Sequence, residues 1–477
     1  MRASIPEMYI GSQALIKRWD SWLQYAVLAI LLLSGFVIAI LGAALWPAEV
    51  AALHLLDSMT LAKSVCLLVG GIAVALALVR HPDITLALFF LVGLVKGDPS
   101  LSQSPVDLTV VTAAILAISA AWKLLSSATH LELPREYFLY LPLLSMMVLS
   151  LTYTPDVSAG AEKALRFICL TGIGIIGPFI FFDSTKKIRR CFYVLIVGGI
   201  GLAINSLSML GSGKRFVAPS GLNTELGAAS AVALILIWSL IFPRLRFFWR
   251  LFFYPAMGIL VVALLGSGGR FANVSAALCI FLGAILYRPL LKDIAILGGA
   301  ALVALPLLWI PSASYQYLDS LRHPTLAMGT RSDLMALGVK IFSDHPLLGV
   351  GVGGFQFVSP NPITYNFPHN IVLELAAEMG IFAALSFVLI AFFCFRESLR
   401  QLSVPSTDDT PLIRAVFLLL VYVLLDSMIS GDINDLRFMW FILSLPFVLR
   451  MLISGAQPRL DGAIENAGEV PQVLESA

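Results

Sequence analysis

Residues Ser21–Leu45 read SWLQYAVLAILLLSGFVIAILGAAL, a run without a single charged side chain. A hydrocarbon core roughly 30 Å thick takes about 20 such residues in helix, so this stretch is long enough to cross it. It is too long for a signal-peptide core, and no small-residue cleavage site follows a short apolar stretch. It therefore reads as a retained first span. The same pattern recurs along the chain. Apolar runs bounded by charge, Pro or Gly fall at 22–46, 61–80, 83–96, 106–125, 136–153, 163–183, 188–208, 223–243, 248–266, 270–287, 292–310, 369–395, 412–430 and 435–453. The expectation is an all-α polytopic membrane protein with about 12–14 transmembrane helices.

Composition agrees. Of 477 residues 59% are apolar and 13% charged, against about 25% charged in a soluble domain, and the mean hydropathy is +0.91. The lipid bilayer is the expected solvent. Net charge is only +2 and no long basic block is interleaved with aromatics, so no nucleic-acid partner is expected. Cys66, Cys169, Cys191, Cys279 and Cys394 sit singly in or beside apolar runs with no C-x-x-C pair. They read as small packing residues rather than zinc or redox groups.

Lys and Arg concentrate in alternate loops: Lys17 and Arg18, Arg80, Lys123 and Arg135, Lys186 to Arg190, Arg244 to Arg250, Arg288 and Lys292, then Arg396, Arg400 and Arg414. The positive-inside rule makes those loops cytoplasmic and puts both termini inside. The expected layout is a cytoplasmic N-terminus (1–20), transmembrane helices (21–310), a periplasmic loop containing short helices (311–368), three last spans (369–454) and a disordered acidic tail (455–477).

The informative charges are those that break the rule. Gly211-Ser-Gly-Lys-Arg-Phe216 and Gly266-Ser-Gly-Gly-Arg-Phe271 end two outward-going runs with one pattern, G-S-G-x-R-F. Small residues let backbone approach a bulky headgroup, and a guanidinium fork matches phosphate oxygens, so Arg215 and Arg270 are candidates for binding a diphosphate; the plain alternative is interfacial anchoring. Lys214 is a weaker candidate, because its G-x-G-K context lacks the P-loop spacing. Lys63, Lys96, Lys163 and Arg166 lie at span edges, where they are expected to snorkel to headgroups.

The long outer segment carries more. Thr330-Arg-Ser-Asp333 has capping-box spacing and predicts the start of an amphipathic helix with Leu334, Leu337, Ile341 and Phe342 on one stripe, ended by His345-Pro346. Gly349, Gly351 and Gly354 formally match G-x-G-x-x-G, but no β-α-β unit surrounds them, so they read as a tight turn. His369 opens the next span and can accept a proton from a sugar hydroxyl; a helix cap is the alternative. Asn370, Glu374 and Glu378 share a helix face, and the two carboxylates either orient His369 or hydrogen-bond neighbouring helices. Arg322 and Arg331 are candidates for holding diphosphate or sugar, against a solvated surface role. Arg437 is expected to pair with Asp432 or Asp435, with sugar binding as the alternative.

Asp344-His-Pro-Leu-Leu-Gly-Val-Gly-Val-Gly-Gly-Phe355 followed by Pro368-His-Asn-Ile-Val-Leu-Glu-Leu-Ala-Ala-Glu-Met-Gly-Ile381 resembles the signature of the O-antigen ligase/polymerase superfamily. The close match covers about forty residues; the many spans, late outer loop and outer arginines are similar over most of the chain. The resemblance implies a GT-C-like bundle in the bacterial inner membrane with a periplasmic active site. It implies an undecaprenyl-diphosphate-linked glycan donor, a glycan or lipid A-core acceptor, no metal and no cofactor. It also implies that His369, Arg215 and Arg270 are essential, with Arg331 fitting the layout. Other polysaccharide-assembly proteins are candidate partners. Fourteen spans exceed the family's usual twelve. A lipid-linked saccharide transporter or flippase is the alternative, disfavoured because basic and His features gather on one face and no internal repeat is visible; a non-catalytic assembly scaffold is a third.

Overall fold

The computed structural model describes residues 73–96, 107–126, 133–210, 215–296, 298–299, 324–358, 367–403 and 407–454. The first expected span (22–46), the N-terminus, the acidic tail, Cys66, Lys63, Lys214 and Arg322 lie outside the described residues. Those described are helical with no strand. Seven helices are long and apolar enough to cross a membrane: Leu108–Ser126, Val157–Phe181, Thr185–Met209, Asn223–Arg244, Ile371–Leu402, Thr410–Ser427 and Arg437–Ser454. Ala73–Arg80 and Pro82–Val95 form an eighth candidate bent by 111°, and Tyr254–Gly266 and Arg270–Leu286 are shorter apolar helices. The chain is an all-α polytopic membrane protein.

The basic loops gather at one end of the bundle, where ion pairs tie them together. Arg190 pairs with the buried Asp83 at the start of Pro82–Val95, Lys187 lies 2.6 Å from Asp183, and Arg189 pairs with Asp409. Arg244 donates to the Asp408 carbonyl at 2.7 Å, Arg250 reaches Asp293 at 2.7 Å, and Arg450 grips Glu136 at 2.9 and 3.1 Å. Consecutive helices run up and down from this end, as the alternation of basic loops requires.

The helix-to-helix seams use small residues against large rings, the packing expected where lipid offers no hydrophobic drive. A Cβ on Gly283 would lie 2.8 Å from the Trp238 indole nitrogen, and one on Gly174 would lie 3.1 Å from the Arg437 carbonyl. Trp440 is fully buried and meets Phe167 and Phe387 edge-on at 5.4 and 5.5 Å. Both indole N–H groups find backbone carbonyls, Ile280 for Trp238 and Ile433 for Trp440, so neither ring carries an unmet donor into the core.

Three local expectations need correcting. Ala73–Arg80 and Pro82–Val95, which lie in the runs 61–80 and 83–96, meet at a sharp bend, with Pro82 starting the second helix. The helix of the late outer segment spans Pro324–Asp344, so Thr330 lies inside it and not at its start. Its stripe is as expected, with Leu334 and Ile341 packed on Phe355 and Ala377. The third correction is a break in Ile371–Leu402 at Gly380, whose φ of 76° lies outside the helical region.

The glycine-rich loop fills that break. The Ala377 and Glu378 carbonyls, left free by the break, accept from Val350 and Gly351 N–H at 2.9 and 2.8 Å, while Ile381 N–H donates to Pro346 at 2.9 Å. Gly349, Gly351 and Gly353 all have positive φ, so the expected tight turn is present. It is also a close approach: a Cβ on Gly380 would sit 2.1 Å from the Leu347 oxygen. Ser150 and Thr154 hold the other side of the loop through Val352.

Candidate functional site

At the end opposite the basic loops, Arg215 and Phe216, which close the first G-S-G-x-R-F hexapeptide, meet the second. Helix Tyr254–Gly266 ends at the second, Gly268 turns at φ 67°, and Arg270 begins the next helix. Phe216 N–H of the first donates to the Gly266 carbonyl at 2.9 Å. The Phe216 ring is fully buried against Gly266, and Asn223 fixes the turn by donating to the Ser267 carbonyl at 2.9 Å. These contacts lay the Arg215 side chain along the turn: a Cβ on Gly268 would be 3.3 Å from its Nε. Arg215 is exposed and Arg270 half-buried. The Arg215 side chain thus lies along the glycine turn that ends at Arg270.

A second pair forms between His369 and Arg331. His369 is half-buried, meets Phe367 edge-on with ring centroids 4.5 Å apart, and has φ 57°, the one positive φ at a non-glycine among the described residues. Such a backbone costs on the order of 1–3 kcal/mol and concentrates at functional sites. Burial, with the Arg331 guanidinium adding repulsion, pushes the imidazole pKa down to about 4. His369 is therefore neutral at physiological pH. Arg331 also acts electrostatically on Asp426, near the end of helix Thr410–Ser427.

Helix register relates the two pairs in height. The Cys279 thiol donates to the Leu418 carbonyl at 3.4 Å, which aligns two antiparallel neighbours. From that level Arg270 is about 14 Å further up one helix and Asp426 about 12 Å up the other, at 1.5 Å per residue. Asn370 donates to the Met428 carbonyl at 3.1 Å, which sets His369 at about 15 Å on the same scale. The Gly380 break allows this, because an unbroken Ile371–Leu402 helix would carry His369 well above the bundle. Arg270, Asp426 and His369 stand at one height.

Other expected site residues have structural partners. Asn370 caps its helix by accepting from Leu373 N–H at 3.0 Å while its amide holds Met428. Glu374 and Glu378 are fully buried and both face Lys163, whose Nζ lies 2.6 Å from Glu374 Oε1 and 2.9 Å from Glu378 Oε2. Glu378 also accepts from Gly353 N–H at 2.9 Å and Glu374 from Ile433 N–H at 3.1 Å. Of the two readings of these carboxylates, this geometry matches the one that ties neighbouring elements. Lys163 does not snorkel, because its ammonium has two carboxylates within reach of a 12% exposed side chain. Lys96 and Arg166 pair with Asp107 and Glu162 at the surface. Arg437 Nε donates to the Asn434 carbonyl at 3.0 Å, with Asp435 and Asp432 in electrostatic range.

Sequence reasoning missed Asp426 and the anchoring role of Lys163. Both carried a usable signal, an ionisable residue within an apolar run, which is costly unless it faces a partner. Among the described residues no cluster of His, Cys, Asp or Glu has the arrangement of a metal site.

The search of curated proteins gives no match. A family model described as O-antigen ligase matches residues 255–388, rather more than a quarter of the chain. The matched segment contains Arg270, Arg331, His369, Asn370, Glu374 and Glu378, while Arg215, Lys163 and Asp426 lie outside it. The match makes residues 255–388 similar to the O-antigen ligase family, which supports an O-antigen ligase/polymerase superfamily assignment and a glycosyltransferase-like membrane enzyme in O-antigen assembly.

Proposed function

We propose that the protein transfers or polymerises an undecaprenyl-diphosphate-linked glycan on the periplasmic face of the inner membrane, with a sugar hydroxyl of a glycan or of lipid A-core as acceptor. One observation carries the reading: the Arg215–Arg270 turn and the Arg331–His369 pair occur at one height on the end opposite the basic loops. The acceptor oxygen attacks the anomeric carbon, the bond from that carbon to the diphosphate oxygen breaks, and the configuration inverts. The diphosphate leaves with the electron pair, and the two arginines stabilise the charge that develops on it. The acceptor proton passes to His369 Nδ1 or Nε2.

An imidazole with a pKa of about 4 is a weak base, yet its environment changes when donor arrives. An incoming diphosphate offsets the Arg331 charge, so imidazole basicity rises with the substrate in place. The acceptor is thereby activated only beside a bound donor. Glu374, Glu378 and Asn370 serve this site from behind, by holding the helix that His369 opens.

Reconstitution with labelled lipid-linked donor on the outer leaflet tests the reading. Expected is glycan transfer that His369→Ala and Arg270→Ala each reduce by at least 100-fold at normal insertion, in line with roughly 10²–10⁴-fold for a lost acid–base group. Lipid movement across the bilayer without transfer would instead identify a transporter.

A further inference from the structure

We infer that Lys163 is a positioning residue for the transfer: by pairing with Glu374 and Glu378, its ammonium ties the helix segment that His369 opens to the helix Val157–Phe181 and so keeps His369 in place beside Arg331. The inference rests on the reading that His369 activates the acceptor.

Lys163 belongs to a closely packed part of the bundle. Its helix, Val157–Phe181, carries Phe167 onto Trp440 at 5.4 Å and Gly174 onto the backbone at Arg437. Its carbonyl accepts from Asn434 Nδ2 at 3.1 Å. From that base, one ammonium reaches two carboxylates one turn apart on the helix segment between His369 and the Gly380 break. Glu374, 2.6 Å away, is one turn along the helix that Asn370 caps, and His369 precedes that cap. Glu378, 2.9 and 3.0 Å away, accepts from Gly353 of the loop that follows Pro324–Asp344, the helix bearing Arg331.

Without the ammonium, two buried carboxylates lose their counter-ion. The helix segment that His369 opens then loses its charged tie to Val157–Phe181 and is free to shift against it. An error of about 1 Å in such a site costs on the order of 100-fold in rate. The charged groups bearing on His369 are Arg331, from helix Pro324–Asp344, and Asp426 of helix Thr410–Ser427 acting on Arg331. Any drift of Arg331 away from His369 therefore registers in the imidazole itself.

The test uses the full chain in lipid nanodiscs, with His369 followed by NMR of labelled imidazole and transfer followed with a synthetic undecaprenyl-diphosphate-linked glycan. The variants are Lys163→Met and the charge-neutral triple Lys163→Met, Glu374→Gln, Glu378→Gln, which keeps the question open to measurement where the single change fails to insert. Expected in the triple are a His369 midpoint moved up from about 4 towards 6.5, a kcat lower by roughly 10- to 100-fold, and a donor KM changed less than about threefold. Lys163→Arg should recover part of kcat. A folded triple variant whose midpoint stays near 4 overturns the proposal. A moved midpoint with unchanged kcat supports the positioning role and removes His369 from the chemistry, so the two failures are distinguishable.

Discussion

His369 combines a strained backbone, a half-buried ring and a cationic neighbour, and each has a measurable consequence. Because the free imidazole titrates near 4, kcat/KM should be flat between about pH 6 and 8, without the inflection near 6.5 that an ordinary histidine would give. The acid limb of kcat, which reports the donor-bound enzyme, should lie at higher pH than that of kcat/KM, and coincident limbs would contradict charge offset by the diphosphate. Arg331→Gln should move the free-enzyme midpoint upward. Linkage has a definite sign here: the folded-state pKa lies below the unfolded value, so the unfolded chain binds more protons between 6.5 and 4. The His369 contribution to stability is intact above 6.5 and is lost as pH falls through that window. Thermal unfolding from pH 7 to 5 should show this loss in the parent and much less of it in His369→Asn, which tolerates the same backbone angle.

At the scale of elements, the spliced helix is the distinctive feature. Glycine at 380 meets two requirements at once, a φ of 76° and a backbone approach that leaves no room for a Cβ. Gly380→Ala should therefore destabilise by about 2–4 kcal/mol, with strain and the clash with the Leu347 oxygen acting together. Gly93→Ala is a suitable control, since nothing lies within 4 Å of that position and φ is helical there. Equal melting temperatures for the two variants would show that the loop does not depend on the close approach. The splice also explains why His369 is reachable by Arg331: the helix turn above the break is held at Met428 rather than projecting beyond the bundle.

At the scale of the whole molecule, charge is divided between the two ends. Paired basic loops secure one end, and the arginine and histidine groups occupy the other. The Arg250–Asp293 pair is buried on both sides, with Arg250 8% and Asp293 0% exposed. Arg250→Met leaves an uncompensated carboxylate and should cost about 3–5 kcal/mol in equilibrium unfolding, while transfer by the surviving folded enzyme is unchanged. Cysteine labelling in cells tests the orientation: a cysteine at Ser208 should react with a membrane-impermeant reagent from the periplasm, and one at Lys186 only after permeabilisation. The opposite pattern would put the site in the cytosol and end the proposed mechanism.

Hydropathy and the alternation of basic loops determined the membrane class, the up-and-down layout and the separation of ends, because lipid forces each backbone segment to satisfy its own hydrogen bonds in helix and leaves charge only at the edges. The H-N motif and the two G-S-G-x-R-F hexapeptides were likewise legible, since residue type and spacing alone single them out. Tertiary structure decided what spacing cannot express. That Phe216 joins the two hexapeptides, that Gly380 breaks a continuous apolar run, and that Lys163 turns inward to two carboxylates all depend on contacts between segments distant in the chain. An apolar run looks the same on either side of a splice, and a lysine at a span edge looks the same whether it meets a headgroup or a buried glutamate.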